Sequence, residues 1–299
     1  MSKRNFALVA ATFVSIIYGM TFTIAKDVMP QYIGAYGFIS LRVGGTMLLF
    51  WTTALLMKVC NQLPPEKIAP QDYQRIVGAA FFGVALNMLT FFKGLSLTSP
   101  ISASVIMVST PMIVLVLSAI IMKERLRKRM VSGLILGLTG TALLILYGKA
   151  IAGAKQAGLG NLLVLINAIS YGYYLIIVKK LMHKYHAFTF VKWIYLLGFL
   201  MVLPFGWNEF QAVQWSSVPT IVYWKISFVV FCSTFLTYLL NLLSMKELSP
   251  TTVAVFIYLQ PLFATVFAIG LGKDELNGVK IISAVLIFSG VYLVTMKKS

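Results

Sequence analysis

Long apolar stretches, separated by short polar ones, follow one another along the whole chain. We count about ten, each of roughly 18–22 residues, which as helices are long enough to cross the ~30 Å hydrocarbon core of a bilayer. They lack the strict alternation of apolar and polar positions that a membrane β-strand requires. The pattern therefore predicts an all-α polytopic membrane protein with ten transmembrane helices. Their approximate limits are 5–25, 36–57, 74–93, 102–122, 130–147, 159–180, 188–206, 222–243, 252–271 and 278–296.

The amino-acid composition agrees with this class and excludes an ordinary soluble domain. Hydrophobic residues make up 59% of the 299 residues and charged residues only 11%, whereas a soluble domain carries about 25% charged residues. The first apolar stretch ends in polar residues and has no small-residue cleavage site. We therefore expect it to be a retained helix and not a signal peptide.

The chain also contains an internal repeat. A shift of 150 positions aligns one half with the other, and a nearby shift of 153 aligns two Tyr-Gly pairs. The matched pairs are Tyr73 and Tyr223, Ser99-Pro100 and Ser249-Pro250, Pro111 and Pro261, Lys123 and Lys273, Gly140 and Gly290, and Tyr18-Gly19 and Tyr171-Gly172. Such a duplication in a membrane protein is typical of transporters whose substrate path lies between the repeats.

The number of stretches in each half determines how the halves are oriented. Five per half is odd, so the second half must enter the membrane in the opposite sense to the first, as an inverted repeat. We expect a first five-helix repeat at 1–148 and a second, inverted one at 159–299. The linker at 149–158 is rich in glycine and alanine, as a flexible boundary should be.

What the net charge of +17 indicates depends on where the lysines and arginines lie along the chain. With the N-terminus inside, most lysines and arginines fall at the cytoplasmic ends of the stretches, and few at the opposite ends. The positive-inside rule then puts both termini in the cytoplasm, in a cell (inner) membrane. The basic run 123–129 has no interleaved aromatic residues for base stacking, so we expect no nucleic-acid partner.

The ends of the two halves resemble a known family. Each has a small-residue helix start (99–104 and 249–254), a proline some ten residues on, an acidic turn (124–126 and 275–276) and a closing helix with glycine. This combination is similar to the EamA-type repeat of the drug/metabolite transporter superfamily. The resemblance covers nearly the whole chain. It implies a central cavity surrounded by helices one to four and six to nine, with helices five and ten at the back, and it leaves the solute open.

Candidate substrate contacts are the polar, aromatic or small residues near the middle of the stretches. A buried amide must find a partner, which is either another helix or a substrate, and a glycine lets helices approach closely. An arginine inside a span is costly and either contacts substrate or a gate, or has a structural role. The cavity candidates are Tyr18, Gly19, Arg42, Asn87, Asn167, Tyr171, Gly172, Tyr238 and Gln260.

Two repeat-related prolines are the candidates for bends. Pro111 and Pro261 each follow a predicted helix start by about ten residues, where a proline frees a carbonyl and bends the helix. They act either as hinges that shape the cavity or as static packing kinks.

The distribution of titratable groups limits the function. All eight acids and both histidines fall in predicted loops or at helix ends, which argues against a proton relay inside the bundle and against an enzyme, a cofactor or a metal site. We expect a carrier of small metabolites or amphipathic solutes that works by alternating access, exports its solute and is driven by the solute's own gradient. The alternatives are a flippase for a lipid or lipid-linked precursor and a non-transporting scaffold. The expected partners are a small-molecule solute and the lipid bilayer, and the oligomeric state is open.

Overall fold

The computed structural model describes residues 3–110, 112–113, 116–117, 128–147, 156–182, 184–247, 256 and 259–295. Within those ranges the chain is helical with short connections and contains no strand. The helices are α1 (Lys3–Val28), α2 (Ala35–Val59), α3 (Pro70–Leu97), α4 (Pro100–Met107), α5 (Lys128–Tyr147), α6 (Ala157–Met182), α7 (Ala187–Gln211), α8 (Thr220–Ser227, continued by Phe228–Leu236 and Thr237–Glu247), α9 (Gln260–Gly270) and α10 (Gly278–Thr295).

Six of these helices, α1, α2, α3, α6, α7 and α8, are long and apolar enough to cross a membrane. The apolar parts of α5, α9 and α10 are shorter, and α4 is described as a helix over eight residues, with helical backbone again at 112–113 and 116–117. A helix satisfies its own backbone hydrogen bonds, which is why it suits this apolar sequence. The prediction of an all-α polytopic membrane protein is confirmed, while the count of ten spans stays a prediction.

Helices that the repeat relates to each other pack side by side and run antiparallel. The N-terminal part of α2 meets the C-terminal part of α7, where Gly37 lies against the backbone of Phe210. Toward the other end Trp51 Nε1 donates to the carbonyl of Lys192 at 3.1 Å. In the same way α5 lies along α10, with Gly290 against the backbone of Gly137.

Two further antiparallel pairs join the halves. The amide of Asn167 in α6 donates to the carbonyl of Asn87 in α3 at 2.8 Å, and Ser170 in α6 donates to the carbonyl of Phe82 in α3. Ser244 near the end of α8 donates to the carbonyl of Ala7 near the start of α1 at 3.2 Å. The pairs α1–α8 and α3–α6 are therefore equivalent under the repeat, since each joins a first helix to a third helix of the other half.

Two helices contain a widened, π-helical segment, which the sequence analysis did not predict. It spans Phe81–Ala85 in α3 and Phe228–Leu236 in α8. The shift of 150 positions carries the first segment to 231–235, inside the second. In a π-turn the hydrogen bond reaches one residue further than in an α-turn, and such segments are frequent at functional sites.

Pro100 and Pro261 each lie in the first turn of a described helix. Pro100 begins α4, where Ser99 caps the helix and its hydroxyl accepts from the backbone N–H of Ser102 at 3.2 Å. Pro261 lies in the first turn of α9, which begins at Gln260. Residues 251–255 and 257–258 before it lie outside the described residues, so the predicted bend at Pro261 stays a prediction. Pro111 lies outside the described residues, as do residues 148–155 of the predicted boundary and linker.

Candidate solute cavity

A cavity of about 280 Å³ lies inside the bundle. Its lining residues come from α1, α2, α3, α4, α6, α7, α8 and α9, together with Thr110 and Phe256. Among the described residues, neither α5 nor α10 contributes to the lining. This arrangement matches the one that the family resemblance implied. The volume is near the lower end of the range for small-molecule sites.

Most of the residues singled out from the sequence meet at this cavity. Tyr18, Arg42, Asn87, Asn167, Tyr171, Tyr238 and Gln260 all line it. Gly19 and Gly172 are buried and do not belong to the lining. A Cβ atom added to Gly19 would stand 3.0 Å from the backbone nitrogen of Ala264, so this glycine permits the close approach of α1 and α9. Contact with a solute stays a prediction for the lining residues.

Arg42 is the only charged side chain among the described lining residues. It is 8% exposed, its Nε donates to Thr234 Oγ1 at 2.7 Å and its Nη2 donates weakly to the carbonyl of Ser233 at 3.5 Å. Its Cζ lies 4.7 Å from the centre of the Phe92 ring. Thus α8 and α3 hold the guanidinium of α2 in place with neutral groups.

Asn87 and Asn167 join α3 to α6 as well as lining the cavity. The side chain of Asn167 donates to the carbonyl of Asn87, and the side chain of Asn87 donates to the carbonyl of Asn167 at a longer 3.4 Å. The sequence left open whether these amides hold helices together or face the substrate path. The structure shows that the two amides hold α3 and α6 together, and that both residues also line the cavity.

A group of tyrosines supplies much of the remaining wall. Tyr171 and Tyr174 stack with ring centres 5.7 Å apart, while Tyr195 and Tyr238 both pack against Phe50 at 4.9 and 5.1 Å. The wall is therefore mostly aromatic and apolar with hydroxyl groups at intervals, which suits an amphipathic solute.

Three buried polar atoms of lining residues have no hydrogen-bond partner within the described part of the chain. They are Thr110 Oγ1, Asn167 Oδ1 and Ser233 Oγ. A buried polar group without a partner costs about 1–3 kcal/mol, so such groups normally bond to water or to a ligand. Ser233 and Thr234, which hold Arg42, lie in the π-helical segment of α8. The sequence did not identify these two residues, because the backbone hydrogen bonds of a π-helical segment do not require particular residue types.

Charged contacts between helices close one end of the bundle, which we call the Asp27 end. Asp27, in the last turn of α1, pairs with Lys225 of α8 and, at 2.6 Å, with Lys273 after α9. The neighbouring Lys26 donates to the carbonyls of Leu95 and Ser96 at the end of α3. These contacts tie α1 to the other half of the chain and to α3.

An aromatic layer lies between the Asp27 end and the cavity. The ring of Phe22 meets Phe91 at 5.5 Å, Phe91 meets Phe92 at 4.9 Å, and Phe92 meets Phe38 at 5.5 Å. Phe22, Phe91 and Phe92 also line the cavity. The cavity therefore stops at a layer of packed rings before it reaches the ion pairs.

The opposite end, which we call the Asp72 end, is different. Asp72 near the start of α3 accepts from Lys184 and Tyr185, between α6 and α7, and pairs with Arg75 within its own helix. The cavity lining extends to Met182, the last residue of α6, which is 39% exposed. Among the described residues, the cavity lining thus reaches a partly exposed residue at the Asp72 end, whereas packed rings and ion pairs lie beyond the lining at the Asp27 end.

This fold and cavity define a polytopic helical membrane protein with a solute-sized chamber between two related halves. The EamA-like transporter family matches the chain over residues 5–146 and 158–296. The chain belongs to this family, and it is a multi-pass membrane transporter. The family and the names of its relatives point to a transporter rather than to an enzyme.

Proteins of Bacillus subtilis and Archaeoglobus fulgidus are similar to this chain. "Uncharacterized transporter YetK" of Bacillus subtilis is 23% identical over all of this chain and 89% of its own length. An "Uncharacterized transporter" of Archaeoglobus fulgidus is 23% identical over 97% of this chain and 94% of its own. A solved crystal structure superposes with a TM-score of 0.60 at 18% identity, covering 98% of each chain, which shows that the fold is shared.

Proposed function

We propose that this transporter moves small metabolites or amphipathic solutes across the inner membrane by alternating access, with export as the net direction. The proposal includes ten membrane-spanning helices in two inverted repeats, divided at 149–158, and both termini in the cytoplasm. The Asp72 end then faces the cytoplasm, because the lysine and arginine bias of the sequence favours that side.

One observation carries the proposal: in the part of the chain that the structure describes, the two ends of the cavity are closed to different degrees. The lining reaches the exposed Met182 at the Asp72 end, whereas rings and ion pairs lie between the cavity and the Asp27 end. A carrier must close one end while the other is open, and an asymmetric chamber is what a single state of such a cycle looks like. We infer that the structure is the state that faces the Asp72 end.

The helix packing supports the inverted repeat. The related helices α2 and α7 run antiparallel in contact, and so do α5 and α10. A two-fold axis in the membrane plane produces this arrangement, because it reverses the direction of every helix that it relates. Such an axis also exchanges the two ends of the cavity, which is the geometric basis of alternating access between repeats.

Side-specific cysteine labelling tests the proposal. Thr21 lines the cavity and is 4% exposed, and a Thr21→Cys variant without Cys60 and Cys232 has a single thiol. In vesicles of known orientation, a membrane-impermeant maleimide should label it mainly from the Asp72 side in the absence of solute. Labelling from both sides at equal rates would indicate a channel, and labelling from neither side would indicate a scaffold.

A second measurement tests the direction and the kind of solute. Cells that lack the gene should retain the transported metabolites inside, and cells that overproduce the protein should release them. Depletion of a water-soluble metabolite from the medium by overproducing cells would refute export. A change confined to the lipids of one leaflet would favour the flippase alternative.

A further inference from the structure

We propose that the solute is a small organic monocarboxylate with an aromatic or apolar body, whose carboxylate pairs with Arg42. This inference rests on the proposed function, and it names the substrate class of the same cavity. It comes from the charge and the unused hydrogen-bonding groups of the lining.

Arg42 carries a charge that the described part of the chain does not neutralise. The acids of that part whose contacts are known bond elsewhere: Asp27 and Asp274 to lysines, Asp72 to Arg75, Lys184 and Tyr185, Glu66 to the backbone of His186 and to Thr189, and Glu209 to the backbone of Tyr36 and Gly37. A buried cation without a counter-charge is costly, and pairing with an anion relieves that cost.

The groups that hold Arg42 orient its guanidinium but use only some of its N–H donors. A guanidinium has five N–H donors, and the described contacts use two of them, to Thr234 Oγ1 and the carbonyl of Ser233. Phe92 covers one face of the group. The remaining N–H groups match the bidentate geometry of a carboxylate.

Ser233 adds a second, independent sign of a ligand at the same place. Its side chain is 0% exposed, and its Oγ has no hydrogen-bond partner within the described residues, although its own carbonyl accepts from Arg42. Because Arg42 and Ser233 line the same cavity, this hydroxyl is available to donate to a carboxylate that binds there. The site therefore offers a cation and a second hydrogen-bond donor.

The balance of charges narrows the class further. The lining supplies one positive charge and, within the described residues, no carboxylate. A monoanion neutralises the site, a phosphate dianion leaves an excess negative charge, and the ammonium of a zwitterion finds no acidic partner. The aromatic wall of Tyr171, Tyr174, Tyr195 and Tyr238 then accommodates an apolar or aromatic body. At ~30 Å³ per water, the cavity of about 280 Å³ has the volume of about nine water molecules.

Equilibrium binding to the purified full chain in detergent micelles tests the class directly. The probes are 3-phenylpropionate, phenylalanine and 3-phenylpropylamine, which share a phenyl body and differ in charge. We expect the wild type to bind 3-phenylpropionate at least tenfold more tightly than the other two. Tighter binding of the amine or the zwitterion, or no binding of 3-phenylpropionate, overturns the proposal.

Variants locate the site. Arg42→Gln should weaken 3-phenylpropionate binding at least tenfold, Arg42→Lys should retain part of the affinity, and the matched control Arg75→Gln, outside the cavity, should have no effect. Ser233→Ala should weaken binding severalfold, and it keeps the test decisive if Arg42→Gln does not fold. Unchanged binding in both Arg42→Gln and Ser233→Ala overturns the assignment.

Two further arms separate other sources of an anion and separate this proposal from the transport mechanism. If phenyl phosphate or dioleoyl phosphatidate binds in an Arg42-dependent manner and 3-phenylpropionate does not, the class is a phosphate and the proposal is wrong. If Thr21→Cys is labelled mainly from the Asp72 side and carboxylates do not bind, the proposed substrate class is wrong and the transport mechanism stands. If carboxylates bind and the labelling is the same from both sides, the transport mechanism fails and the site stands.

Discussion

Replacing Asp27 with asparagine should open the Asp27 end of the cavity. The substitution keeps the size of the side chain and removes the charge that holds Lys225 of α8 and Lys273 beyond α9 to α1. The contacts of Lys26 with α3 stay in place, so we expect a shift in the balance between closed and open states and not a collapse of the end.

The size of the shift follows from the exposure of the three groups. Lys273 is 45% exposed, so its pair with Asp27 contributes at most ~1 kcal/mol. Lys225 and Asp27 are 27% and 17% exposed, and a hydrogen bond between charged groups in such a partly buried place contributes about 1.5–3 kcal/mol. With a discount for screening and for the hydrogen bond that asparagine retains, the loss is about 1.4–2 kcal/mol. This corresponds to an increase of about 10- to 30-fold in the open population.

The assay is the labelling rate of Thr21→Cys from the Asp27 side. When opening is fast compared with labelling, the rate is proportional to the open population, so Asp27→Asn should raise it about 10- to 30-fold. Asp72→Asn is the matched control, because Asp72 also pairs with two cations at the opposite end. An equal acceleration by both substitutions, or no acceleration by Asp27→Asn, refutes the argument. High salt shortens the screening length from ~10 Å at 0.1 M to ~3 Å at 1 M, so it should accelerate labelling of the wild type more than of Asp27→Asn.

Three more outcomes can be checked. Asn167→Ala should lower the free energy of unfolding in detergent by about 1–3 kcal/mol, and by more than Asn87→Ala, because the hydrogen bond donated by Asn167 is 2.8 Å and the reverse one is 3.4 Å. Gly19→Leu should impair transport but not membrane insertion. The control Gly278→Leu should impair neither transport nor insertion, because no atom lies within 4 Å of a Cβ added at Gly278. Glu275→Cys should react with an impermeant thiol reagent from outside the cell, and reaction from the cytoplasm alone would contradict the inverted topology.

The helical class and many of the cavity residues were accessible from the sequence because they depend on simple properties. Apolar length alone identifies membrane helices, and a polar group inside an apolar stretch needs a partner in the protein or in a cavity. That argument selected Arg42, Asn87 and Tyr171, which all line the cavity. Gly19 was selected for a different reason, because a glycine permits close helix approach, and it lies between α1 and α9 and not in the cavity lining.

Other features were not predictable because they arise from tertiary contacts. The pairing of Asp27 with two lysines depends on which helix ends meet, and the sequence indicated only that the acids lie at helix ends. The π-helical segments likewise leave no periodic signal, because they are only five and nine residues long.

The π-helical segments have a consequence for chain length. In an α-helix each residue is rotated by about 100° from the one before it, so deleting one residue from an ordinary part of α8 would rotate everything beyond it off the cavity wall. A π-turn already contains one residue more than an α-turn. A single deletion inside Phe228–Leu236 should therefore be absorbed as regular α-helix, with Tyr238 still facing the cavity. Transporters of this architecture should then tolerate a one-residue difference in length at this point in the membrane, and at the related point Phe81–Ala85.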